Sequence, residues 1–290
     1  HAIHDIALGP DGKTIVAAWH SGGVVVWDLE EEKFIARFAE HSGRVATAAF
    51  IGTNRIASGD TDGNVILWEW ANIKGTARGK VFGKQYQHFG GVHRLRLAGG
   101  GKYIATASFD NDAQFLDVAT GDPVGMPLEH QGALQSIALN KRGNALTACG
   151  DGYAREWLRA PGTLDRLYYH QKSVQPTIYT DDARYLSIKR ADGTATVHHA
   201  LTGERIGKSI RPVGGISSLA VSPDQTSVLT GSVQGLVQFW NAASGEPYGQ
   251  TYDHGGATAW TVLFGPHGRR AYSGGLDGVV QDWDVATGTP

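Results

Sequence analysis

Three sets of residues in this 290-residue chain carry the side-chain types a nucleophilic hydrolase would use. His41, Ser58 and Asp62 form the first, His130, Thr147 and Asp151 the second, and His254, Ser273 and Asp277 the third. A hydroxyl beside an imidazole that is held in turn by a carboxylate is the arrangement that activates serine for attack on a carbonyl. Each set also has a tryptophan ten residues after its hydroxyl: Trp68, Trp157 and Trp283. The hydroxyl can accept the indole N–H, so all four polar groups can satisfy one another inside a core. One active site needs one triad. Repeated copies with an added tryptophan read as scaffold, and no catalytic residue is assigned to them.

The elements that position these sets repeat along the chain. Trp27, Trp68, Leu116, Trp157, His198, Trp240 and Trp283 share one register, with gaps of 41, 48, 41, 41, 42 and 43 residues. A second marker follows most of them by 13 or 14 residues, at His41, His130, His170 and His254, with His88 delayed to 20. Periods of this length signal stacked or ring-closed repeat units. Within a unit the pattern is strand-like, as in 45–50, 55–58 and 64–68, with no competing helical period. Asp62-Gly63, Asp151-Gly152, Asp192-Gly193 and Asp277-Gly278 supply tight turns that tolerate positive φ. Pro10-Asp11-Gly12 and its relatives make a second turn, and Ala119-Thr120-Gly121, Leu201-Thr202-Gly203, Ala243-Ser244-Gly245 and Ala286-Thr287-Gly288 a third. Three turns join four antiparallel strands.

With seven such units the chain resembles the WD-repeat β-propeller family: a His before the first strand, Ser or Thr on the second, Asp in the next turn, and Trp-Asp ending the third. The resemblance implies an all-β, seven-bladed β-propeller of four-stranded antiparallel blades, as one domain over 1–290. The blades run approximately 1–40, 41–87, 88–129, 130–169, 170–211, 212–253 and 254–290. It gives the three His–Ser/Thr–Asp–Trp sets a structural role. The first repeat departs from the pattern at Ala17 and Ser21, the third at Leu116, the fifth at Ile188 and His198, and the sixth at Pro212 and Gln234. Only seven residues follow Trp283, so the last blade is expected to lack its outer strand and to expose an edge open to pairing.

WD-repeat proteins use three positions per blade on the face carrying the His and Asp loops. Here those positions are small and neutral in blades four to six. They hold Trp260, Leu276, His4, His20, Arg44, His93 and Phe109 in blades seven, one, two and three, the expected partner-binding sector for a protein or peptide. His4, His20 and His93 lack ligand spacing, so no metal is expected, and no cofactor motif is present. The stretch 71–87 is an insertion with Lys74, Arg78, Lys80 and Lys84 and no acidic residue, an alternative nucleic-acid contact.

Composition agrees with a packed, neutral domain. There are 26 basic and 28 acidic residues, a net charge of −2, so no global field recruits nucleic acid or an anionic membrane. One cysteine forbids an internal disulfide. No apolar run approaches membrane-spanning length, and residues 1–5 lack a signal-peptide pattern, so the expected setting is cytoplasmic. The function expected is a non-enzymatic scaffold, sensor or docking domain. The Ala-Thr-Gly-Asp-Pro-Val-Gly style of 119–125 resembles bacterial WD-repeat domains fused to signalling, kinase, NTPase or protease modules. A propeller hydrolase or lyase with a site at the channel mouth is the alternative.

Overall fold

The computed structural model describes residues 2–21, 23–70, 77–98, 101–139, 143–151, 153–158, 164–169, 175–179, 185–189, 194–199 and 205–290. Among them there is no helix, and seven sheets account for the strands. The third to sixth are four-stranded meanders; the third runs Val92–Leu97, Tyr103–Ser108, Asp112–Asp117 and Pro123–Glu129. The seventh has three strands, Ala259–Phe264, Arg270–Gly275 and Val280–Asp284. The fold class is therefore the all-β propeller type expected from the repeat. Among the described residues no helix is long and apolar enough to cross a membrane. His170, Asp192-Gly193, Leu201-Thr202-Gly203 and the 71–76 part of the basic insertion lie outside the described residues.

The chain divides into two compact units, Ala7–Ser173 and His1–Ile6 with Val174–Pro290. In each, apolar residues of consecutive sheets interdigitate. Val16, Phe38, Phe50, Trp68 and Trp70 form one such layer between the first and second sheets. Leu229, Phe239, Val262 and Trp283 form another between the sixth and seventh. In the second unit Ile3 and Ile6 pack against Gly274, where an added Cβ would lie 3.1 and 3.3 Å from their methyls.

The turns follow from the residues that make them. Gly63 and Gly278 have φ of 93° and 82°, which a side chain would resist. The residue after the register tryptophan caps the third turn. Asp28 Oδ1 accepts the N–H groups of Glu30 and Glu31 at 2.9 Å, Asn241 Oδ1 those of Ala243 and Ser244, and Asp284 Oδ1 that of Thr287 at 3.0 Å. An Asx side chain holding backbone two and three residues on is what makes these turns local and self-contained.

The insertion is partly ordered as strand. Ala77–Arg78 adds a parallel fifth strand to Lys33–Phe38, while Lys80–Val81 and Tyr86–Gln87 pair with Asn64–Glu69. Lys80 bonds Glu69 at 3.0 Å and Lys84 bonds Asp122, so these two cations of the stretch are partnered.

Candidate partner-binding surface

The His–Ser/Thr–Asp–Trp sets come first because they decide whether the trios can do chemistry. In the seventh sheet the expected set forms: His254 Nδ1 lies 2.7 Å from Asp277 Oδ2, Nε2 3.1 Å from Ser273 Oγ, and Trp283 Nε1 donates to the same oxygen at 3.2 Å. In the second sheet His41 Nε2 is 2.6 Å from Ser58 Oγ, which accepts Trp68 Nε1–H at 2.7 Å. The carboxylate there is Asp60, at 2.7 Å from His41 Nδ1, and this corrects the assignment to Asp62. Ser58 and Asp60 are two apart on Arg55–Asp60 and so share a face of that strand, whereas Asp62 lies beyond it and accepts Ser42 Oγ–H at 3.1 Å.

The fourth sheet corrects a second assignment. His130 Nε2 meets Thr147 Oγ1 at 2.7 Å and Trp157 donates to that oxygen at 2.8 Å, but Asp151 is taken by Arg155 at 2.6 and 3.2 Å. His130 Nδ1 instead donates to the Leu128 carbonyl at 2.7 Å. A guanidinium four residues on outcompetes a neutral imidazole for the carboxylate. The third sheet holds a trio not expected from the sequence, His88 with Thr106 at 2.7 Å and Asp110 at 3.0 Å, without a tryptophan.

These trios are closed to substrate. Ser58 and Ser273 are completely buried, and each serine oxygen is already occupied by an indole N–H. Burial pushes the His41 and His88 imidazoles below their ordinary pKa, and burial followed by the nearby Arg155 charge brings His130 to about 4. His41, His88 and His130 are therefore neutral near pH 7, with Nδ1–H aimed at a carboxylate or carbonyl and Nε2 accepting the hydroxyl proton. In the second sheet the directed chain runs from indole N–H to hydroxyl to imidazole to carboxylate.

Two of the expected sector residues, His93 and Trp260, are placed by a feature the sequence did not disclose. In the second, third, fourth, sixth and seventh sheets the first strand carries a β-bulge, and the bulged residue is Ala46, His93, Gln135, Ser217 or Trp260. A bulge adds one residue to one strand and re-aims its side chain. Two of these five residues are large and ring-bearing.

In the unit Ala7–Ser173, His93 stacks on Phe109 with ring centroids 4.6 Å apart and planes 20° apart. Both His93 ring nitrogens are buried without a hydrogen-bond partner. Burial, with the Arg94 charge beside it, pushes the imidazole down to about 3, although the Gln135 backbone acts in the other direction. Phe109 is 56% exposed and Phe89, which the sequence reading passed over, is fully exposed. The Phe89 N–H donates to Asp110 Oδ2 at 3.0 Å, which holds the second ring on the same loops. Arg44 is exposed; its N–H donates to Thr61 Oγ1 at 3.2 Å and its carbonyl accepts the Thr61 N–H at 2.9 Å. Thr61 in turn abuts Gly91, where an added Cβ would meet its carbonyl at 2.8 Å. His20 is exposed.

In the other unit His4 and Trp260 lie 5.7 Å apart, centroid to centroid, and Trp260 is 38% exposed. Leu276 N–H donates to the Thr258 carbonyl, two residues from the bulge. The expected sector is thus two clusters, His4/Trp260/Leu276 in one unit and Arg44/His93/Phe109, with Phe89 added, in the other. Among the described residues no group of three or more His, Cys, Asp and Glu side chains could hold a metal ion.

Two stretches of the chain match the family model "WD domain, G-beta repeat": residues 32–69 and 208–241. Both stretches are similar to WD repeats. The stretch 208–241 lacks both the His and the Asp of the set, yet it matches with its strands, turns, Thr230 and Trp240. The chain is also similar to curated proteins of eukaryotes. The U3 small nucleolar RNA-associated protein 15 homolog of Gallus gallus is 24% identical over 78% of this chain and 43% of its own length. Actin-interacting protein 1 of Drosophila melanogaster is 26% identical over 84% and 41%, and WD repeat-containing protein 1 of Mus musculus 24% over 75% and 37%. The chain spans less than half the length of these relatives.

Proposed function

We propose that this chain is a non-enzymatic protein-interaction domain of seven WD repeats, one domain over 1–290, serving as a docking or sensor part of a larger signalling chain in the cytoplasm. The observation that supports this best is the pair of ring-bearing bulges with exposed aromatic neighbours, His93 with Phe109 and Phe89, and Trp260 with His4. Exposed aromatic rings on short rigid loops are the side-chain types that dominate binding energy at protein interfaces. The closed trios weigh against catalysis, and the pairing of Lys80 and Lys84 weighs against the basic insertion as a nucleic-acid contact.

The decisive experiment is affinity capture with the parent protein and with Phe109→Ala, Arg44→Glu and Trp260→Ala variants, each checked for an unchanged melting temperature. Loss of one co-purifying protein on aromatic truncation is the expected outcome. Capture that is indifferent to all three substitutions would remove the proposed surface. The name of the first relative refers to a small nucleolar RNA, so recovery of RNA with a steep salt dependence would move the proposal to a nucleic-acid partner.

A further inference from the structure

The sixth sheet is an internal comparison for the others, because it keeps half of the set. Trp240 Nε1 donates to Thr230 Oγ1 at 2.8 Å, the bond that Trp68, Trp157 and Trp283 make elsewhere. In those three sheets the hydroxyl also meets a His Nε2, at 2.6 to 3.1 Å. In the sixth, Pro212 stands where the His should be and Gln234 where the Asp should be. Thr230 Oγ1 also faces the Gln238 carbonyl at 3.4 Å, too long to use its hydrogen well.

A cavity of about 560 Å³ opens over that hydroxyl, within the range of small-molecule sites. Its buried end is Thr230, Ser232 and Trp240, and its exposed end carries Arg211 and Glu246. Neither of these charged groups is in an ion pair among the described residues. The position of Ser232 corresponds to Cys149 of the fourth sheet, two residues past the hydroxyl on a buried strand, where a side chain coexists with His130. The part of the sixth sheet that the other sheets fill with protein imidazole therefore lines a cavity with a zwitterion-complementary mouth.

We propose that this cavity binds a zwitterionic α-amino acid bearing an imidazole ring, of which free histidine is the simplest. The ring nitrogen accepts the Thr230 hydroxyl proton as His130 accepts that of Thr147. The ring lies against Trp240 as His130 lies against Trp157, with centroids 5.2 Å apart there. At the mouth, Arg211 takes the carboxylate and Glu246 the ammonium, so the two charges of the ligand discriminate it from bare imidazole. The site lies wholly in the unit His1–Ile6 with Val174–Pro290 and does not involve the aromatic bulges.

The test is calorimetry with L-histidine, histamine and L-leucine as probes, alongside the indole N–H signal of Trp240 in nuclear magnetic resonance. L-histidine should bind and move that signal, histamine or Arg211→Ala should weaken binding by about tenfold or more, and L-leucine should leave the signal in place. Pro212→His, which returns the protein's own imidazole, should abolish binding. Thr230→Val removes the hydroxyl at nearly constant shape and guards against a Pro212→His variant that fails to fold. An unmoved Trp240 signal in millimolar L-histidine, equal affinity for L-leucine, or full binding by Thr230→Val would each overturn the proposal.

Discussion

The second and sixth sheets share a tryptophan–hydroxyl bond and differ in everything beyond it. In the second, the bond continues through His41 to a completely buried Asp60, which also accepts N–H groups of Asp62 and Asn64. In the sixth it stops at Thr230, and a cavity lies where the rest would be. Both nevertheless match the same family model. The polar chain is therefore an addition to a unit that strands, turns and apolar layers already specify. Its role is to fix the His-bearing loop to the second strand, not to create the sheet.

The largest effect should come from cutting the complete chain. His41→Ala leaves the Asp60 carboxylate buried without its imidazole and should lower unfolding free energy by about 3 kcal/mol in urea titration. A loss below about 1 kcal/mol would mean that the Asp62 and Asn64 donors satisfy the carboxylate without the imidazole.

Acid should act next. His130 titrates near 4 in the folded protein against 6.5 for a free imidazole, so the unfolded chain takes up the proton first. Its contribution to stability is complete above about pH 6.5 and is lost as pH falls toward 4. His93, brought down to about 3, extends the loss to lower pH. Melting temperatures of the parent and of His130→Gln should converge on going from pH 7 to pH 4. Parallel curves would show that His130 does not carry the dependence.

Thr230→Val tests the abbreviated sheet. It orphans only the Trp240 N–H and should cost about 1 kcal/mol, against roughly twice that for Ser273→Ala in the seventh sheet, where His254 also loses its partner. Equal costs would erase the distinction. The smallest effect is one of fluctuation: amides of Ser227–Ser232 should exchange hydrogen faster than those of Arg55–Asp60, by a modest factor.

Much of this was legible in residue spacing. The register of Trp27 through Trp283 located the sheets, and the ten-residue offset from hydroxyl to tryptophan located three bonds. What spacing could not resolve was competition among near neighbours. Asp60 and Asp62 both lie within reach of His41, and only strand alternation selects the first. Asp151 has the expected offset, but Arg155, four residues on, captures it. The bulges were illegible for a different reason: a one-residue offset between two strands leaves no mark on either strand alone, so His93 and Trp260 read as positions, with no sign of how they are aimed. Phe89 was missed because it follows the delayed His88, in the one repeat whose period is stretched to 48 residues.

The bulge also separates two kinds of mutational freedom. Its extra residue belongs to no cross-strand pair, as the breaks at Val92/Arg94 and Ala259/Thr261 record, while its neighbours Val92 and Ala259 are fully buried. Alanine at 46, glutamine at 135 and tryptophan at 260 occupy the same backbone niche in one chain. Recognition can thus be rewritten one residue per sheet while the ladder beneath keeps its register, and a set of such niches acts as a row of interchangeable letters on an unchanging frame.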